Sequence, residues 1–102
     1  MTYSMRGLDR IKATQDTGDA VCVVDLIGEF DAAACRKAGI DVSKLLVSRP
    51  DGQQQARHIL DAMAASGTVA LFVIYGSVPE HVLRSARDRV PTGEVCEMLQ
   101  YN

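Results

Sequence analysis

The hydrophobic residues of this chain change their spacing several times, and each change marks an element. Two runs, Ala20-Val21-Cys22-Val23-Val24 and Val69-Ala70-Leu71-Phe72-Val73-Ile74-Tyr75, are apolar without interruption. A strand covered on one face alternates apolar and polar positions, so unbroken runs predict strands covered on both faces, inside a parallel sheet. The shorter run Leu45-Leu46-Val47-Ser48 lies between Lys44 and Arg49-Pro50. The proline ends it and predicts an edge strand.

Between these runs the spacing is helical. Over residues 52–66, Ala56, Ile59, Leu60, Met63 and Ala64 form one apolar stripe, with Asp51 and Gln54 spaced as a capping box. Asp31 is placed to cap a short helix over 32–38, and Gly39 supplies the left-handed residue that closes many helices. Farther on, Ser77 and Glu80 have capping-box spacing around Pro79, and Val82, Ala86 and Val90 share a face before Pro91. Met5, Leu8 and Ile11 predict an opening helix that ends before Gly18. Residues 94–101 fit a short strand or a loose helix equally well. The alternation of helix and strand predicts an α/β fold, a three-layer sandwich with a mostly parallel sheet in one domain over 1–102. Right-handed crossovers place the 20–26 strand between the edge strand and the 69–75 strand. Ligands in such sheets bind beyond the carboxyl ends of the strands, here around 25–31, 48–55 and 75–77.

Composition narrows the function classes. The 102 residues are 47% hydrophobic and 24% charged, enough apolar matter for a core. The 11 Lys and Arg against 13 Asp and Glu give a net charge of -2, so binding of DNA through bulk electrostatics is expected to be weak. No run approaches the roughly 20 apolar residues that cross a bilayer, and no signal-peptide core follows Met1, so a cytoplasmic protein without a membrane partner is expected. Cys22, Cys35 and Cys96 show no paired spacing and are expected to be reduced thiols. With no Cys or second His at helical spacing, His58 and His81 are expected on the surface, and no metal site is expected.

The residues also carry a family pattern. Val23-Val24-Asp25, Phe30-Asp31, Arg36-Lys37-Ala38-Gly39-Ile40-Asp41, Leu45-Leu46-Val47-Ser48-Arg49-Pro50-Asp51, Gln55-Ala56 and Leu60-Asp61-Ala62-Met63-Ala64-Ala65-Ser66-Gly67 follow one another without a gap. This series resembles the core of the bacterial RecA recombinase over residues 18–75, and implies a truncated RecA-like core. The departures fall on the chemistry. The resemblance puts Met1 inside the phosphate-binding loop and Tyr3 and Ser4 at its Lys and Thr positions. The preceding strand and the Gly-rich Lys loop are not in the sequence. The glutamate that polarises water corresponds to Ile27, the following His to Gly28, the magnesium-side aspartate to Tyr75 and the adenine-stacking aromatic to Ala34. An aliphatic side chain accepts no proton, so no ATPase activity, catalytic residue or cofactor is expected.

What survives is a set of acids at the expected ligand edge. Asp25, Glu29 and Asp31 are the candidate ligand-binding residues, though helix capping accounts for Asp31 and Asp51 without a ligand. Arg84, Arg87 and Arg89 are the candidate partner contacts, against the default of a solvated, partly paired face. Beside Arg36 and Lys37, an exposed Cys35 would be activated, and a buried one inert.

Three readings of function stand. The first is a non-catalytic interaction domain whose partner is a protein of the RecA family or the DNA-damage response, with SulA-like cell-division inhibitors and ImuA-like mutagenesis accessory proteins as weaker likenesses. The second is a module that binds a nucleotide or small anion without hydrolysis, and the third is a decayed paralogue. If the 69–75 strand keeps an open edge, either residues 94–101 cover it or a second copy does, and a homodimer on that edge or on the 77–90 helix is the expectation.

Overall fold

The computed structural model describes residues 5–89 and 94–98, with residues 5, 6 and 94–98 described as backbone. Helix α1 (Met5–Asp16) leads into strand β1 (Ala20–Asp25), helix α2 (Ala32–Lys37) and strand β2 (Leu45–Ser48). Helix α3 (Gln53–Ala65), strand β3 (Val69–Tyr75), helix α4 (Glu80–Arg89) and strand β4 (Glu94–Met98) follow. The sheet order is β2-β1-β3-β4, and every pairing is parallel. The chain reaches β2 with α2 on one face and returns past β1 to β3 with α3 on the other, as crossovers of one hand require.

The strands have two apolar faces because helices cover both. Val21, Val23, Leu45, Leu71 and Val73 pack under Leu8 and Ile11 of α1 and Cys35 of α2. On the other face, Cys22, Val24, Phe72 and Ile74 meet Ala56, Leu60 and Ala64 of α3 and Val82, Leu83 and Ala86 of α4. The unbroken run in β3 is therefore two alternating sets, and all seven of its residues are buried. One irregularity modifies the alternation. Ala20 pairs with Val69 and Val21 with Leu71, so Ala70 is the extra residue of a bulge. Val69 thereby joins Phe72 and Ile74 on the α3 face.

Local chemistry explains most element ends. Asp31 caps α2 as expected, its Oδ1 accepting from the N–H groups of Ala33 and Ala34 at 2.9 and 3.1 Å. Gly39 follows with φ +83°, and its N–H closes the helix on the carbonyl of Arg36. Gln15 in α1 grips the backbone of Asp41 twice, donating to its carbonyl and accepting from its N–H, both at 2.9 Å.

Two capping expectations are corrected. Asp51 does not cap α3. The cap residue is Gly52, in extended conformation and without a side-chain bond. Gln55, rather than Gln54, reaches back to accept from the Asp51 N–H at 2.7 Å. The Ser77 and Glu80 pair does not frame α4 either. The helix starts at Glu80, with the Pro79 carbonyl accepting from Val82 and Leu83, so Ser77 lies too far upstream to cap.

The sheet edge is corrected too. Of the two surfaces expected for a homodimer, the 77–90 helix and the open edge of β3, the second is taken within the chain. Strand β4 of the same chain pairs there, with Leu71 opposite Glu94 and Tyr75 opposite Met98. Val90, Pro91 and 99–102 lie outside the described residues, as do Tyr3 and Ser4. No helix among the described residues is long and apolar enough to cross a membrane.

Candidate functional site

The carboxyl ends of β1 and β3 form the point where the chain turns outward in opposite directions, the usual ligand crevice of a parallel sheet. Asp25 ends β1 there with its side chain fully buried. Its Oδ1 accepts from the N–H groups of Ile27 and Glu29 at 3.3 and 3.1 Å, and its Oδ2 from that of Phe30 at 3.0 Å. The Nε of Arg49, at the end of β2, stands 3.6 Å from Oδ2. Asp25 is thus the anchor of the 26–30 loop, its oxygens engaged by the chain itself.

The loop folds down over the crevice. The Leu26 N–H donates to the Tyr75 carbonyl at 2.9 Å, carrying the ladder one residue past β1. The Phe30 ring meets Tyr75 edge-on, with centroids 5.9 Å apart and planes at 81°. Leu26 and Ile27 press on Gly76, whose φ is +112° and where a Cβ would lie 3.1 Å from the Leu26 Cβ. Only glycine suits that turn and that contact.

The three candidate acids share this loop but do not converge as ligands. Glu29 contributes its backbone N–H to Asp25, and Asp31 is an exposed helix cap. No group of three or more His, Cys, Asp or Glu side chains able to hold a metal exists among the described residues. Arg84, Arg87 and Arg89 are likewise separated. Arg84 is exposed, and Arg87 pairs with Glu80 at 3.6 Å. Arg89 crosses to α3, where its Nη2 donates to Asp61 Oδ1 at 2.6 Å, and the same nitrogen donates to Ser85 Oγ of its own helix at 2.9 Å. His58 and His81 are exposed. Cys35 is buried, and its thiol is pushed up by that burial and by Asp31, against the opposing pull of Arg36. It is not an activated nucleophile.

A second site was not singled out from the sequence. Strand β2 is an outer strand, and its Leu46 and Val47 are 44% and 40% exposed. Between this edge and α3 runs an apolar groove of about 450 Å³ lined by Cys22, Leu45, Leu46, Val47, Ser48, Ile59 and Met63. Ile59 and Met63 rest partly on the core and partly on this groove. The signal was present in Leu45-Leu46-Val47: an exposed edge strand ordinarily alternates or carries charge, and this one does neither.

The fold and its apolar strand edge are those of a parallel α/β core. The model of the RecA N-terminal domain family matches residues 4–88, and the chain belongs to that family. It is 37% identical over 67 residues to Protein RecA of Rhodospirillum centenum, and equally to Protein RecA of Chlorobaculum tepidum. Each alignment covers 66% of this chain and 19% of the relative, so the chain matches about a fifth of the length of these proteins.

Proposed function

We propose that this chain is a non-catalytic RecA-like domain that binds a protein partner in DNA repair or recombination. The observation that carries the reading is the β2 edge, unpaired among the described residues, above an apolar groove. Unpaired N–H and C=O groups on an outer strand accept an added strand, and a groove beside them takes its alternate side chains. The occupant that fits is an extended apolar segment of a RecA-family protein, laid along Leu45–Ser48 with one side chain between Leu46, Ile59 and Met63. Leu46 and Val47 stay half-exposed until such a segment covers them.

Ile27 and Tyr75 support the absence of catalysis. By the resemblance they stand where the family holds a water-polarising carboxylate and a magnesium-side carboxylate, and neither side chain supplies one. Around them, Asp25 is engaged by loop N–H groups and Gly76 is covered by Leu26 and Ile27.

Sedimentation velocity of the chain mixed with the RecA protein of its own cell tests the partner. A complex is expected, and Leu46→Lys should abolish it while leaving the melting temperature within a degree or two. No complex, or one indifferent to Leu46→Lys, overturns the docking site. In a parallel assay no magnesium-dependent phosphate release from ATP is expected. Reproducible release that is lost in a variant of this chain would overturn the non-catalytic reading.

A further inference from the structure

We draw no further inference here: the strongest candidate outside the β2 groove, the cavity of about 410 Å³ between the starts of α3 and α4 lined by Gln53, Gln54, Arg57, Pro79, His81 and Val82, offers two helix N-termini and exposed side chains, and nothing buried or bound there points to a ligand.

Discussion

Asp25 shows how one side chain sets a loop. A buried carboxylate is costly unless its oxygens are hydrogen-bonded, and here three backbone N–H groups meet that need, with the Arg49 guanidinium 3.6 Å away as counter-charge. Asp25→Ala leaves those donors without their acceptor and should cost about 2–3 kcal/mol in urea unfolding. Asp25→Asn keeps one acceptor but turns a donor towards Phe30 or Glu29, so it should recover only part of the loss. A wild-type midpoint for Asp25→Ala would show that the loop holds without its anchor. Cys22 makes a second prediction, in pH. Burial on the α3 face of β1 pushes its thiol up to about 11 from the ordinary 9.0. With the folded value raised, the contribution is fully present below pH 9 and is lost as pH rises towards 11, because the unfolded chain ionises first. Stability should fall by about 1.4 kcal/mol per pH unit across that window, and Cys22→Ala should flatten this slope.

At the scale of elements, the two short connections before α2 and α3 look alike in sequence and behave differently. Asp31 caps α2 with two bonds, whereas Asp51 makes no cap bond to α3, whose first turn begins at Gly52. Asp31→Ala should therefore cost about 1 kcal/mol and Asp51→Ala much less, by chemical denaturation. Equal losses would mean that Asp51 caps in solution. Gly52 is extended, and a Cβ there meets nothing within 4 Å. Gly52→Ser should raise stability by about 0.5–1 kcal/mol, through the new cap and the stiffer unfolded chain. The stripe of α3 divides more finely than its periodicity indicates. Ala56, Leu60 and Ala64 are buried, while Ile59 and Met63 lie at the border of the β2 groove. Leu60→Ala should cost about 2–5 kcal/mol.

For the molecule as a whole, the decisive feature is which strands lie inside the sheet and which at its margin. Among the described residues, strand β3 is paired on both sides, by β1 and β4, and β2 on one side only. Native-state hydrogen exchange should find the β3 amides among the slowest, and the outward amides of β2 among the fastest in the sheet. If β3 exchanged as fast as β2, the β4 pairing would not hold in solution. Charge placed on Leu46 should be tolerated by the folded chain, because that side chain is already half in water.

The architecture was largely legible in the residues, since uninterrupted apolar runs must be covered on both faces and the 3.6-residue stripes provide the cover. Strands β1, β2 and β3, their order and helices α1 to α4 followed from hydrophobic spacing and crossover handedness, whereas the burial of Cys35 was decided by the packing of α2 on the sheet. The resemblance located the acids of the ligand edge, but not what engages them. The 26–30 loop closes on Asp25 through its own backbone N–H groups, while the counter-charge, Arg49, lies 24 positions farther along the chain and comes near because β2 pairs with β1. The cap of α3 was misplaced because Asp51 and Gln54 have the right spacing, and whether a backbone reaches cap geometry depends on how the loop from β2 enters the helix. Residues 94–98 had no preference strong enough to choose strand over helix, and the unpaired hydrogen-bonding groups of β3 made the choice. The apolar edge Leu45-Leu46-Val47 was visible in the sequence, but the groove beside it exists only where tertiary packing brings Ile59 and Met63 of α3 against Leu46.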